Sequence, residues 1–311
     1  MTDTLLPAEL HSIAATHDGV LRRSHLLAAG LTARDITSAV RAGRVVRLYR
    51  DTYRLPAADD GPGADFLATT VAVRQRHPDR VLTGVAAVAA LGLPVFGRPR
   101  HVPVVHDPRG GASARSVTRT VAPPPADQLV RLPTGLVAGP ARAALDAARL
   151  DGVVAGVVAA DAALRAGMTT HGELGRVLAS MSGLLGVHHA RRCADLASAG
   201  SASPGESWSA VVLDTYGMPR AERQVALHDE RGLIGVVDFL WSGAAVVGEF
   251  DGRVKYGRTN PSGRPPEEVL WDEKVREDRL RSRGYAVVRW TTADLRAPEH
   301  WITRLRRSLG A

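Results

Sequence analysis

The most constraining feature of the chain is the stretch at residues 235–256, where carboxylates interrupt two apolar runs. Turn residues at 241–243 separate the first run from the second at 244–250, so the pattern predicts a β-hairpin. Because side chains alternate faces along a strand, Glu249 and Asp251 project together from the second strand. Asp238 lies on the neighbouring strand, and Lys255 follows shortly after the hairpin. We therefore expect three carboxylates and one lysine to converge.

Converging carboxylates need a partner, because they repel one another and are costly to bury without a cation or a proton among them. Mg²⁺ is bound by oxygen ligands, commonly one or two carboxylates with substrate phosphate, and Mn²⁺ is an alternative. A lysine beside the ion polarises the attacking water or neutralises charge on the phosphorane. The stretch thus predicts Asp238 and Glu249 as metal ligands, with Asp251 supporting or replacing Glu249. Lys255 is the expected catalytic cation.

The spacing of Asp238, Glu249 and Lys255 resembles the core of PD-(D/E)XK nuclease-fold domains, in particular the branch of very-short-patch-repair-like endonucleases. A helix-patterned segment at 267–283 and a strand at 285–290 resemble the closing helix and strand of that branch. The resemblance implies a nuclease-like α/β domain over residues 201–311. The chain departs from the pattern at Asp251, which stands where the family usually has its lysine.

Two of the candidate residues have alternative interpretations. The resemblance implies an acidic metal ligand on the helix before the hairpin, which Glu206 matches. Ser203 and Pro204 also make Glu206 part of a capping box, a role without catalysis. Lysine occurs only at Lys255 and Lys274 and every other basic residue is arginine, which favours a specific role for the compact ammonium of Lys255. Chance retention of Lys255 is the alternative.

The pattern of residues 1–56 predicts a small DNA-binding domain. Apolar residues between 5 and 13 indicate a first helix, and residues 24–29 indicate a second. The segment from Thr32 to Asp35 has the capping-box pattern that opens a third helix, with Gly43 as its stop. Two short strands flank Arg50, as in a hairpin wing.

This order of elements resembles a winged helix-turn-helix, specifically the N-terminal domain of the AbiEi family of antitoxins. In that arrangement the third helix enters the major groove of double-stranded DNA, and the wing meets phosphates. The resemblance implies DNA contacts from Arg34, Thr37, Ser38, Arg41, Arg47 and Arg50. The alternative is a non-binding domain that keeps these side chains on its solvent side.

Residues 57–200 predict a middle α/β region that is rich in alanine and valine. Helical patterns lie at 66–75, 84–91, 140–146, 153–164, 171–180 and 187–199, and extended segments lie at 101–106 and 116–121. Residues 83–93 and 139–149 resemble the middle portion of the same antitoxin family. Arg142 and Asp146 are spaced for an i,i+4 helix pair of about 0.3–0.5 kcal/mol.

Length and composition narrow the class of protein. With 311 residues the chain exceeds one ordinary domain, and we expect an α+β multidomain protein divided at residues 56 and 200. The single cysteine, Cys193, excludes an internal disulfide framework and fits a reducing compartment. The apolar run at 153–160 is too short to span a membrane, so we expect a cytoplasmic protein. A net charge of +8 favours an anionic partner.

Two functions follow as hypotheses. The leading one is a Mg²⁺-dependent DNA endonuclease that the winged helix directs to its substrate. The alternative is a DNA-binding antitoxin or transcriptional repressor of a toxin–antitoxin system, with a toxin as partner and a catalytically silent nuclease fold. The displaced lysine favours this alternative. A nuclease fold acting on RNA is a third hypothesis, although the sequence indicates no aromatic platform for stacking single strands.

Overall fold

The computed structural model describes residues 6–58, 60–61, 63–105, 118–252 and 266–310. Its first unit contains α1 (Glu9–Thr16), β1 (Val20–Arg22), α2 (Arg23–Ala28), α3 (Ala33–Arg41), β2 (Val46–Tyr49) and β3 (Thr52–Arg54). The strands form an antiparallel sheet in the order β1-β3-β2. The sequence predicts the three helices and the β2–β3 wing but not β1, which has only three residues.

Local chemistry starts the third helix and packing fixes its orientation. The Thr32 hydroxyl accepts a hydrogen bond from the Asp35 amide, and the Asp35 carboxylate accepts one from the Thr32 amide, which completes the predicted capping box. Ile36 and Ala39 are buried in a core shared with Leu10. Since one face of α3 is taken up by this core, the opposite face lies in solvent.

The middle region combines ten elements. They are α4 (Ala64–Arg76), α5 (Gly84–Ala90), β4 (Val102–Val105), β5 (Thr118–Val121), β6 (Leu129–Leu132), β7 (Gly135–Ala138), α6 (Pro140–Asp151), α7 (Val153–Arg165), α8 (His171–Ala179) and α9 (Val187–Leu196). β4 and β5 are parallel, β6 and β7 are antiparallel, and Leu82 forms bridges to Val104 and Val137 that connect the two pairs. The sequence does not predict the β6–β7 hairpin.

The predicted i,i+4 pair between Arg142 and Asp146 is present, but both side chains are buried in the middle of the α6 packing surface. The Asp146 carboxylate accepts hydrogen bonds from Arg142 Nε at 2.9 Å and from Arg149 Nε at 2.5 Å. It also accepts a bond from the Thr83 hydroxyl. Gln128 Oε1 accepts a further bond from Arg142 Nη1 at 3.0 Å. The pair is therefore part of a buried polar network that joins α6 to the loops before α5 and β6.

The C-terminal part contains α10 (Pro204–Thr215), β8 (Glu222–Asp229), β9 (Gly232–Trp241), β10 (Val246–Asp251), α11 (Pro266–Ser282), β11 (Ala286–Thr291), α12 (Thr292–Arg296) and α13 (Glu299–Leu309). Its sheet has the order β11-β10-β9-β8, with β11 parallel to β10 and the other pairs antiparallel. The predicted hairpin is β9–β10, joined by a 3₁₀ turn at Ser242–Ala244.

Helices cover both faces of this sheet. Val246 faces a core with α10 and with Trp290, whose indole nitrogen donates to the Ser209 hydroxyl at 2.7 Å. Val247, the next residue, faces the other core, which contains Leu280 of α11. Because successive strand residues point to opposite faces, α10 and α11 lie on opposite sides of the sheet.

A buried carboxylate connects the middle region to the C-terminal part. Asp161 of α7 accepts from the Ser207 hydroxyl at 2.8 Å and from the Ser198 amide at 2.7 Å. It pairs with Arg223 of β8 at 3.3 Å. Burial raises the pKa of Asp161, and burial also lowers the pKa of Arg223. Burial removes water from both charged groups, and the ion pair between Asp161 and Arg223 offsets part of that cost.

Helices and sheets alternate through all parts of the structure, which confirms the expected α+β class. Among the described helices none combines the length and the apolar character that a membrane span requires.

Candidate functional site

The six residues predicted to contact DNA are all exposed, four on α3 and two on the wing. Arg34, Thr37, Ser38 and Arg41 belong to α3 and follow the spacing i, i+3, i+4 and i+7, which places them along one helix face. Arg47 lies on β2, and Arg50 lies at the tip of the wing. Every one of them is exposed, and the Arg50 side chain is 90% accessible. We call this set of six residues the α3–wing surface.

The predicted metal ligands lie on three neighbouring elements of the C-terminal part. Glu206 is in the first turn of α10, Asp238 is on β9, and Glu249 is on β10. Asp251, at the end of β10, is half-buried. Lys255 lies outside the described residues, so its predicted catalytic role stays a prediction.

Gln224 of β8 joins two of these carboxylates. Its Nε2 donates to Glu206 Oε2 at 2.8 Å and to Asp238 Oδ1 at 3.0 Å. Gln224 has φ of +51°, a left-handed conformation that is rare inside a strand. We call the Glu206–Gln224–Asp238 arrangement the Gln224 bridge. Gln224 therefore faces the candidate site, although β8 is an edge strand of the sheet.

Asp238 also changes the pairing of the hairpin strands. The β9–β10 ladder runs from Trp241–Val246 to Phe239–Gly248, and continuation of the register would place Asp238 opposite Glu249. At that point the Asp238 carboxylate accepts a hydrogen bond from the Phe250 amide at 2.9 Å. A side chain thus replaces a backbone acceptor where the two strands separate.

Glu249 is buried and bound by two arginines. Arg276 Nη2 of α11 lies 2.6 Å from Glu249 Oε1, and Arg289 Nη2 of β11 lies 3.1 Å from Oε2. Arg289 also pairs with Glu273 at 2.6 Å and with Glu277 at 3.2 Å. Burial lowers the pKa of Arg289, but these carboxylates outweigh burial and the pKa is raised overall. The positive charge beside Glu249 is therefore permanent.

The charged side chains of α11 do not all lie in solvent, because Arg276 and Arg279 bind carboxylates of the sheet. Arg276 reaches Glu249, and Arg279 binds Asp229 of β8 through two nitrogens, at 2.5 and 2.8 Å. α11 also contains intrahelical pairs, as between Arg281 and Glu277. The sequence offers one signal for Arg289, since it interrupts the otherwise apolar strand β11.

Ser203 caps α10 as the sequence predicts, but the reciprocal bond to Glu206 comes from the Ala202 amide and the Ser203 hydroxyl rather than from the Ser203 amide of a capping box. The Ser203 hydroxyl accepts from the Glu206 amide at 3.3 Å and donates to the Glu206 carboxylate at 2.7 Å. The Ala202 amide donates to Glu206 Oε2 at 2.8 Å. Glu206 therefore stabilises the first turn of α10 and also accepts a hydrogen bond from Gln224, so it has a structural role and lies at the candidate site.

Protein groups already donate hydrogen bonds to the carboxylates of Glu206, Asp238 and Glu249. Among the described residues, no group of three His, Cys, Asp or Glu side chains has the geometry to hold a metal ion. Glu249 has an arginine on each oxygen, and a divalent cation would have to take the place of those arginines. The present arrangement does not fit Mg²⁺ or Mn²⁺ without such a rearrangement, and binding of either ion stays a prediction.

Comparison with known proteins identifies a class for the first unit. Residues 9–56 match the family described as "Transcriptional regulator, AbiEi antitoxin". The predicted resemblance to AbiEi antitoxins is thus confirmed for these residues, which carry the whole α3–wing surface. The resemblance of residues 201–311 to PD-(D/E)XK nucleases stays a prediction.

Similar individual proteins come from Mycobacterium tuberculosis. "Uncharacterized protein MT2308" of strain CDC 1551 / Oshkosh and "Uncharacterized protein Rv2248" of strain ATCC 25618 / H37Rv are each 27% identical to this chain over 183 residues. The match covers 58% of this chain and 65% of each relative. The crystal structure of RV2827C protein matches with a TM-score of 0.35 and 17% identity, over 72% of this chain and 88% of that one.

Proposed function

We propose that the chain is a DNA-binding transcriptional regulator of the antitoxin type, which binds duplex DNA through the α3–wing surface. The observation that carries the proposal is the exposure of all six predicted contact residues within the segment that matches the regulator family. Antitoxin-type regulation adds a toxin protein as a second partner.

The dimensions of α3 suit the major groove. An α-helix with its side chains is about 10–12 Å across, and the major groove is about 12 Å wide. Arg34 and Arg41, seven residues apart, are separated by about 10 Å along the helix axis. Arginine can donate to guanine O6 and N7, while Thr37 and Ser38 supply hydroxyls. In this arrangement Arg47 and Arg50 lie on the wing, where they bind phosphates and fix the register of α3.

The test is a fluorescence-anisotropy titration of the full chain with a labelled duplex from the region upstream of its own gene. We expect Arg41→Ala to weaken binding by about 1–3 kcal/mol and to relax sequence preference. Arg50→Ala should weaken binding to all duplexes and reduce the salt dependence. Arg191→Ala is the matched control, because Arg191 is an exposed arginine on α9. Unchanged affinity in both variants of the α3–wing surface would contradict the proposal.

The Gln224 bridge favours a second candidate, the Mg²⁺-dependent endodeoxyribonuclease. In this proposal Glu206, Asp238 and Glu249 hold the ion, and Asp251 and Lys255 act in catalysis. The two arginines on Glu249 make it the less favoured of the two. Supercoiled plasmid incubated with Mg²⁺ or Mn²⁺ tests it. Nicking by the wild type that stops in EDTA and in Asp238→Asn would support the nuclease, and intact plasmid under both metals would refute it.

A further inference from the structure

A cleft of about 490 Å³ lies between the wing and the middle region. On one side it is lined by residues 47–50 of the wing, and on another by Asp65, Phe66 and Thr69 of α4. The third side comes from Pro99 and Arg100, which precede β4, and from Val102, its first residue. Arginines from two parts of the chain that are distant in sequence therefore line the same cleft.

The charge of this cleft is positive. Arg47, Arg50 and Arg100 are exposed, and the structure records no carboxylate partner for Arg47 or Arg100 within the described residues. Arg50 has only a loose pair with Asp51 at 3.6 Å. Asp65, the carboxylate among the lining residues, is bound by Arg54 at 2.6 Å. A polyanion is the partner that such a surface attracts.

The parts that line the cleft are held together by polar contacts. Arg54 of β3 pairs with Asp60 and with Asp65, both at 2.6 Å, and this connects the wing to α4. Arg22 Nη2 donates to the Ala72 carbonyl of α4 at 3.4 Å. On the other side, Val102 is fully buried in the core of the middle region, two residues after Arg100. The wing and Arg100 consequently form one surface.

We propose that Arg100 binds a backbone phosphate of the same duplex that the α3–wing surface holds, so that the DNA strand continues from the wing across the middle region. This inference rests on the proposed DNA-binding function. Phosphates along B-DNA are spaced every 1.7 Å of helix axis when both strands are counted, so a cleft beside the wing meets phosphates adjacent to those at Arg47 and Arg50. The middle region thereby enlarges the DNA footprint beyond residues 9–56.

The experiment measures the salt dependence of binding to a mixed-sequence 30-base-pair DNA duplex, using the full chain. Each lost phosphate contact lowers the slope of log affinity against log salt concentration by about 0.9. Arg100→Ala should show this decrease, so its affinity deficit should shrink about 3.5-fold between 50 and 200 mM salt. Arg100→Lys keeps the charge and should retain the wild-type slope. The exposed Arg191→Ala is the control and should also retain it.

The outcomes separate this inference from the function on which it rests. A wild-type slope in Arg100→Ala, with a reduced slope in Arg47→Ala and Arg50→Ala, would overturn the role of Arg100 and leave the α3–wing surface intact. A wild type that shows no salt-dependent DNA binding would overturn both. Tighter binding to an RNA duplex of the same length, with the same loss in Arg100→Ala, would assign the cleft to RNA and overturn the DNA proposal.

Discussion

Asp146 provides a sharp test of how burial sets the strength of an ion pair. The carboxylate is fully buried and accepts from Arg142, Arg149 and Thr83. As a surface i,i+4 pair it would contribute about 0.3–0.5 kcal/mol. In the buried network Asp146→Asn leaves two arginines without their carboxylate, and breaking a buried pair costs about 3–5 kcal/mol. We therefore expect Asp146→Asn to lower the free energy of unfolding by about 3–5 kcal/mol, roughly ten times the contribution of an exposed i,i+4 pair.

Urea denaturation followed by far-UV circular dichroism measures this loss, with the denaturant slope compared to confirm that the transition itself is unchanged. The matched control is Asp214→Asn. Asp214 pairs with Arg192 at 2.6 Å, and both side chains are more than a third exposed, at 38% and 37%. Exposed pairs contribute about 0–1 kcal/mol, so this variant should remain close to wild type. Equal losses in the two variants, or a loss below 1 kcal/mol in Asp146→Asn, would refute the reasoning from burial.

Two further predictions concern packing and pH. A Cβ at Gly156 of α7 would collide with Ala148 of α6, so Gly156→Ala should lower the free energy of unfolding by about 1–3 kcal/mol in urea denaturation. A Cβ at Gly175 of α8 meets open space, so Gly175→Ala should raise the free energy of unfolding by about 0.5–1 kcal/mol. The hydrogen bond from Arg279 lowers the pKa of Asp229 to about 2, so the stabilisation from this pair is present above the ordinary pKa near 4 and is lost as pH falls towards 2. An NMR titration of the Asp229 carboxyl should show its pKa return towards 4 in Arg279→Gln and remain low in Arg281→Gln; no change in Arg279→Gln would contradict the assignment.

The elements that depend on local signals are the ones that the sequence predicts well. The capping box of Thr32 and Asp35 involves residues three apart, and the same holds for Ser203 and Glu206. Helix start signals of this kind need no knowledge of the tertiary structure. The β9–β10 hairpin is predictable for the same reason, because its turn lies between two apolar runs.

Long-range partners explain what the sequence cannot predict. Asp146 binds Thr83, 63 residues earlier, and only the tertiary fold brings them together. The same applies to Arg276 and Glu249, which are 27 residues apart, on a helix and a strand. In both cases the sequence pattern indicates the helix correctly but does not show which of its charged side chains face the protein interior. Burial decides this, and burial depends on elements that pack from elsewhere.

The choice between regulator and nuclease depends on competition for Glu249. A hydrogen bond to a charged group contributes about 1.5–3 kcal/mol, so the bonds from Arg276 and Arg289 together stabilise the present state by about 3–6 kcal/mol. A cation that uses Glu249 must replace both, and its affinity for the site falls by a factor of about 10²–10⁴. The α3–wing surface has far weaker competition, because its six side chains are exposed and Arg50 pairs only loosely with Asp51, at 3.6 Å. DNA binding therefore needs no rearrangement of the structure, while metal-dependent cleavage requires two arginines to move, and this asymmetry favours the regulator.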